Sequence, residues 1–491
     1  MLEPAIEEVR RISRQDRYRV IPVRREILAD VRTPMEVLRV LKGASSHCYM
    51  LESMEDSQQW GRYTILGLDP SMEITCTDYK TVIRTKDGIT EKTGHPKDHI
   101  RRIMSDNLSP RIPGFPPFTG GLVGYFSYDY MKYAEPGLDL DAEDQERFKD
   151  LDLMLFDRVI VFDNLRQKIL LIANVRTDRL DEDYARAEAE LDELASLVVH
   201  GIPADRVSTR ITSAIRLLFD QREYCSMVEK VKEHIREGDV FQVVLSNRMD
   251  ADVDGDLLDV YRALRTENPS PYMFYFSGGD VEIAGASPET LVRLEGRKVS
   301  TFPLAGTRRR GRTPEEDRLL EEDLLSDEKE LAEHNMLVDL GRNDLGRVCR
   351  FDTVRVDRYL TVERFSHVMH IGSTVSGEIG EGKDAMDIVE SLLPAGTLSG
   401  APKLRACEII NELENNKRGI YGGAIGYLSF TGDMDTCIAI RIAYRKNGKV
   451  FVRSGAGIVA DSVPEREYEE CLHKARAVIR AIESAARGVD V

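Results

Sequence analysis

A chain of 491 residues with 42% hydrophobic and 31% charged side chains has the material for two to four domains, or one large intertwined one, and is far from a disordered composition. Its 85 acidic against 68 basic residues leave a formal charge of −17, which argues against nucleic acid as a partner and obliges any site for an anion to hold local positive charge. No apolar run approaches the ~18 residues of a membrane span, the charged first twenty residues cannot hold a signal-peptide core, and seven cysteines without CxxC spacing fit reduced thiols in the cytoplasm.

Short strand-like runs separated by turns open the chain: HCYMLES (47–53), YTILGL (63–68), SMEITCT (71–77), GGLVGYFSY (120–128), DLMLFDRVIVFD (152–163) and KILLIANV (168–175). A two-faced charged pattern predicts a helix from Asp181 to Val199. The acidic stretch Tyr133–Asp150 and the turn-rich stretch His200–Ser213 look like boundaries, and the main division is placed at the second, giving regions 1–200 and 215–491. Beyond it come a strand, FQVVLSNR (241–248), and helix starts at Thr313 with Pro314 and Glu316, at Ser326 (running to about Leu340), and at Ser462 with Glu465 (running to about Ala486). Further strands are expected at AIGYLSF (424–430), CIAIRIAY (437–444) and KVFVRSGAGIVA (449–460). Helices and strands mix without βαβ alternation, so the expected class is α+β.

Glu330/Glu333 and Glu467/Glu470 each place two carboxylates on one helix face. A solvated acidic surface is the commoner fate of one such pair; four carboxylates facing one another would suit Mg²⁺, a hard cation that takes oxygen ligands. Glu470-Cys-Leu-His473 is also a Glu-x-x-His, but a di-iron bundle needs two on long facing helices and only one is present. Gly455-Ala-Gly457-Ile-Val-Ala460 matches the dinucleotide fingerprint but lacks the second strand and acidic residue that reading needs; its glycines still allow close backbone approach to a ligand. Thr397 lies in the small-residue run LLPAGTLSGAPKLRA (392–406), a ligand wall or a plain loop. His370 sits on a strand-like run, where a structural role is the commoner one. Arg441, inside CIAIRIAY, needs an anion, either a ligand or an internal carboxylate. These residues alone point to a Mg²⁺-dependent site for a small anion in the second half.

The runs PLAGTRRRG (303–311), DEKELAEHNMLVDLGRNDLGRVC (327–349), LLPAGTLSGAPKLRACEII (392–410), YGGAIGYLSF (421–430) and SGAGIVADSVPEREYEECLHKA (454–475) resemble the chorismate-utilising enzymes, and within them the branch of anthranilate synthase component I, from about Pro22 to Ala485. The resemblance implies an intertwined two-subdomain α/β sandwich of orthogonally packed sheets flanked by helices. It implies Glu333 and Glu470 as direct Mg²⁺ ligands and Glu330 and Glu467 as ligands through water. Lys474 would assist at the ring carboxylate of chorismate. Arg441 and the backbone at Gly455 and Gly457 would hold the enolpyruvyl carboxylate, with Tyr421 lining that end and Thr397 and His370 beside the ring. Glu289, in ASPE, would be the general acid. Gln242 stands where water-using members carry a lysine base, and Ala305 where many para-aminating members carry a nucleophilic lysine, so both favour ammonia addition giving the ortho product. Ser53, Pro271, Tyr272 and Met273 match segments that bind tryptophan as feedback inhibitor, so 1–200 is expected to be regulatory and partner-contacting. No G-x-C-L/F-G elbow surrounds a cysteine, so ammonia is expected from a separate glutamine amidotransferase subunit, in a heterotetramer of two each. The rival expectations are the para-aminating relative and a silent chorismate- or tryptophan-binding regulator.

Overall fold

The computed structural model describes residues 2–53, 61–365 and 368–488. Two large sheets, of 13 and 12 strands among the described residues, pack face to face, and every ladder in them is antiparallel. In the larger sheet, strands from the first 176 residues end at Cys48–Glu52, which pairs with Tyr272–Ser277; Glu282–Ser287, Ile442–Lys446, Lys449–Ile458 and Gln242–Asp254 follow. In the smaller sheet, Leu304–Arg309, Val368–Glu378, Lys298–Thr301, Thr290–Glu295, Met434–Ile438 and Ala424–Ser429 lead to Gly121–Phe126 and the other early strands. Residues before 200 and after 210 therefore share both sheets, an α+β sandwich covered by helices on its outer faces.

The strand Lys168–Arg176 explains why the early runs read as continuous rather than alternating. Ile169, Leu171, Ala173 and Val175 face the helix-covered core, while Leu170 and Ile172 face the core between the sheets. Burial on both faces removes the polar positions of a half-exposed strand, and each fully buried aliphatic contributes about 2 kcal/mol. On the outer face of the smaller sheet, the helices Pro96–Ser105, Glu328–Gly346 and Ala385–Leu392 close a second core around Val299, Val338 and Val389. Among the described residues no helix is long and apolar enough to cross a membrane.

Two expected strands are in fact pairs of strands. The run 152–163 breaks at Asp157 into Leu151–Phe156 in the smaller sheet and Arg158–Asp163 in the larger. The run 437–444 breaks at Ala439–Arg441, where Met434–Ile438 in the smaller sheet gives way to Ile442–Lys446 in the larger. An apolar run buried throughout looks the same whether it stays in one sheet or steps to the next. Two helix caps also shift. Thr313 does cap its helix, accepting from Glu316 N at 3.2 Å. The next helix is capped by Asp327, which accepts from Lys329 N and Glu330 N, because Ser326 already ends the preceding helix and its hydroxyl donates to Asp323 O. The last helix, Pro464–Arg487, has Val463 at its N-cap; the Ser462 hydroxyl oxygen instead accepts from Val459 N at 3.1 Å.

Candidate active site

Glu289 and Arg441 both sit where the chain steps from one sheet to the other, Glu289 between Glu282–Ser287 and Thr290–Glu295, Arg441 between Met434–Ile438 and Ile442–Lys446. The two crossovers are tied by backbone and hydroxyl bonds: Ile438 N to Glu289 O at 2.9 Å, Ala286 N to Arg441 O at 3.2 Å and Ser287 Oγ to Ile438 O at 2.7 Å. Arg441 takes the left-handed conformation, φ 52°, which costs a residue with a side chain about 1 kcal/mol and is a feature of sites that aim a group. Its guanidinium makes no hydrogen bond within the described chain, and burial, opposed by Glu289, draws its pKa below the usual arginine value. Glu289 is 8% exposed; burial pushes its carboxyl up to about 7 against the hydroxyl of Thr397, which donates at 3.1 Å, and the charges of Arg441 and Lys474.

Thr397 stands on the short 3-10 turn Gly396–Leu398, and His370 on the strand Val368–Glu378. The Nδ1 of His370 lies 2.8 Å from Gly306 O and 3.1 Å from Thr307 Oγ1. A carbonyl can only accept, so Nδ1 carries the proton and Nε2 the lone pair of a neutral ring. Burial and then Arg441 hold the ring below its ordinary pKa against the Gly306 bond. The strand Leu304–Arg309 thus contributes more than Ala305: the carbonyl of Gly306, a residue at φ 64°, fixes the tautomer, a contact that nothing in the one-dimensional sequence announces.

Across the site, Gln242 begins the strand Gln242–Asp254, whose Val244 and Ser246 lie opposite Gly457 and Gly455. A Cβ on Gly457 would stand 2.4 Å from the Gln242 side-chain nitrogen, so a side chain there would displace this amide from its place. The Gln242 side-chain oxygen is buried without a protein partner, worth about 1–3 kcal/mol unless a ligand meets it. Tyr421 is 3% exposed and joins this wall through Gly422, whose N–H donates to Ala439 O at 2.9 Å beside the Arg441 crossover.

The helix Glu328–Gly346 carries Glu330 and Glu333 and the last helix Glu467, Glu470 and Lys474. Burial first and Glu330 second raise the pKa of Glu333, and it also senses Glu470; burial and Glu470 raise that of Glu467. Lys474 pairs with Glu470 at 2.8 Å and donates to Gly455 O at 3.2 Å, and Arg308 approaches Glu330 at 3.5 Å. Four carboxylates with an all-oxygen donor set, two of them raised above the usual carboxylate pKa by burial and by neighbouring carboxylates, fit a hard divalent cation. They do not converge tightly: among the described residues only His234, Glu237 and Asp239 bring three ligand atoms within 4.8 Å of one another, and Arg405 already neutralises Asp239.

Ser53, Pro271, Tyr272 and Met273 line one open cleft, together with Glu52, Arg293, Tyr427 and Asp435. It is separate from the carboxylate cluster but touches the Glu289 crossover, since the Tyr272 hydroxyl donates to Asp435 at 2.8 Å and lies 2.9 Å from Thr290 Oγ1, next to Glu289.

Residues 46–480 match the family of chorismate binding enzymes. An anthranilate synthase component 1 from Acetivibrio thermocellus is 46% identical over 99% of both chains, and one from Acinetobacter calcoaceticus is 46% identical over 96% of this chain and 97% of its own. The crystal structure of anthranilate synthase component I from Streptococcus pneumoniae superposes with a TM-score of 0.76 at 37% identity, covering 92% of this chain and 98% of that one. The isochorismate synthase MenF from Escherichia coli, at 21% identity and a TM-score of 0.69 over 97% of this chain and 98% of its own, shares the fold. With two sheets, a crossover site and a full-length match of this kind, the chain belongs to the chorismate-binding enzyme family.

Proposed function

We propose that this chain converts chorismate and ammonia to anthranilate and pyruvate as the first committed step of tryptophan biosynthesis, with Mg²⁺ at the four glutamates, ammonia from a glutamine amidotransferase subunit, and tryptophan as feedback inhibitor in the cleft at Ser53, Pro271, Tyr272 and Met273. The observation that carries the reading is the buried Glu289, an acid of pKa about 7 receiving a hydrogen bond from Thr397 and sensing the charge of Arg441. The full-length relatives named anthranilate synthase component 1 support it. A cytoplasmic location fits, as do a regulatory and partner-contacting 1–200 and a catalytic 215–491, although the inhibitor cleft draws on both regions.

Arg441, with the backbone at Gly455 and Gly457 and the wall of Tyr421, would hold the enolpyruvyl carboxylate; Lys474 would help at the ring carboxylate. Glu333 and Glu470 would hold Mg²⁺ directly and Glu330 and Glu467 through water, and the bound ion would supply a positive centre for that ring carboxylate. Glu289, protonated near neutral pH, gives its proton to the C4 hydroxyl, which leaves as water while the nitrogen of ammonia bonds to C2. Gln242 cannot take a proton from water, and its unpartnered amide oxygen offers an acceptor to an ammonia N–H. The neutral His370, with Nε2 free, would take the C2 proton as the C3–O bond breaks and pyruvate departs. Ala305 places a methyl group where an amine would be needed for a covalent adduct on the route to the para isomer.

The test is to incubate the purified chain with chorismate, Mg²⁺ and excess ammonium salt and to identify the product by chromatography with mass detection. Anthranilate that disappears on adding chelator supports the reading; para-aminobenzoate or its precursor, or no product from a folded chain, overturns it.

A further inference from the structure

We propose that Arg418 is the positioning residue of the catalytic centre, holding the Thr397 turn, the Gln242 strand and the Tyr421 wall in one frame. Its side chain is 2% exposed and each of its guanidinium nitrogens donates to the protein. Two of its nitrogens fork onto Glu414, Nε to Oε2 at 3.0 Å and Nη2 to Oε1 at 2.6 Å. Nη1 donates to Leu398 O at 2.5 Å, the carbonyl directly after Thr397, and Nη2 to Val244 O at 2.7 Å, two residues along the strand from Gln242. Its plane lies 4.6 Å from the Tyr128 ring centroid and 6.0 Å from that of Tyr421. Only a planar fork with five donors reaches all of these at once, and a lysine would reach one or two.

The cluster is anchored behind the site. Glu414 also accepts from Ser246 N at 2.7 Å and from Arg453 Nη2 at 2.7 Å. Burial pushes the Glu414 carboxyl up, but Arg418 and Arg453 outweigh it and keep the group ionised. Two guanidiniums on one carboxylate leave a net positive charge buried beneath a pocket that, on the proposed reaction, receives a dianion. Breaking such a buried network on one side leaves an uncompensated charge, so its members hold their geometry firmly. The inference rests on the proposed role of Glu289, because the turn that Arg418 fixes is the one from which Thr397 reaches that carboxyl.

Arg418→Lys keeps the charge and loses the fork. The expected result is a ~10–100-fold fall in kcat with KM changed less than about threefold. Thr397 then retreats from Glu289, the carboxylate loses a donor, and the alkaline limb of kcat moves up by about half a pH unit. Arg441 and Lys474, the charged groups that Glu289 senses, are left in place and hold the rest of its titration constant. Arg453→Lys, which touches Glu414 but not Leu398, is expected to lower thermal stability without moving the limb. In a Thr397→Val background the limb is already displaced and Arg418→Lys moves it no further. Glu289's titration is also followed through the pH dependence of unfolding, which needs no turnover: if the wild type makes no anthranilate the proposed reaction falls, and Arg418 is judged on that titration alone. An unmoved titration in Arg418→Lys, equal displacement in Arg453→Lys, or failure of Arg418→Lys to fold where Arg453→Lys folds would each overturn the assignment.

Discussion

Replacing Glu289 by glutamine separates the chemistry of this carboxyl from its effect on the fold. Burial holds the folded group at about 7 against an ordinary 4.5, which amounts to about 3 kcal/mol against the ionised form. Between those two pH values the folded chain keeps a proton that the unfolded chain has released, so stability falls as pH rises through the window. Below 4.5 both states are protonated and nothing is lost; above 7 both are ionised and the whole deficit is present. Glutamine stays neutral throughout. Glu289→Gln is therefore expected to gain about 3 kcal/mol on the wild type between pH 4.5 and pH 8.5, whatever constant offset the amide introduces. Urea unfolding of the two free chains at both pH values reads the change directly. Turnover should meanwhile fall about 10³-fold, since the amide has no proton to give. A stability gap that stays the same at both pH values, or widens toward acid, would refute the buried-acid reasoning.

Glu470→Gln removes one proposed metal ligand, so Mg²⁺ binding measured by calorimetry should weaken at least ~10-fold and turnover should vanish. Arg441→Lys keeps the charge but loses the planar fork aimed by the left-handed backbone; KM for chorismate should rise about 10–100-fold in steady-state kinetics, more than kcat falls. Ser53→Phe crowds the cleft beside Tyr272 and should raise the tryptophan concentration for half-inhibition at least ~10-fold with KM unchanged. Gln242→Lys buries an amine against Gly457, where desolvation lowers its pKa; ammonia-dependent product should fall and a water-addition product emerge in the same chromatogram.

The candidate site residues were legible because short runs hold them: the paired glutamates, the histidine and the glycines are each visible within a few positions. The strands were legible too, since a doubly buried strand such as Lys168–Arg176 runs from Ile169 to Ala173 without a polar residue before Asn174. That same uniformity hid the crossovers. Nothing in CIAIRIAY distinguishes one strand from two, yet the break at Arg441 is what turns its side chain from a sheet position into a site position. Caps failed where two hydroxyl or carboxyl residues were adjacent: Asp327 outcompetes Ser326 because the serine is consumed by the helix before it. Arg418 was invisible for a different reason. Glu414 and Arg418 are four apart, a spacing that on most helices marks a solvated surface pair, and only burial against Leu398 and Val244 gives it another meaning.

The most direct test of the account is isotopic. Chorismate and Mg²⁺ are incubated with the chain in ¹⁸O-water containing ¹⁵N-ammonium, and the aromatic product is analysed by mass spectrometry and compared with ortho and para standards. The account predicts anthranilate carrying ¹⁵N and no ¹⁸O. An ¹⁸O-labelled hydroxylated product, or ¹⁵N in the para isomer, would contradict it.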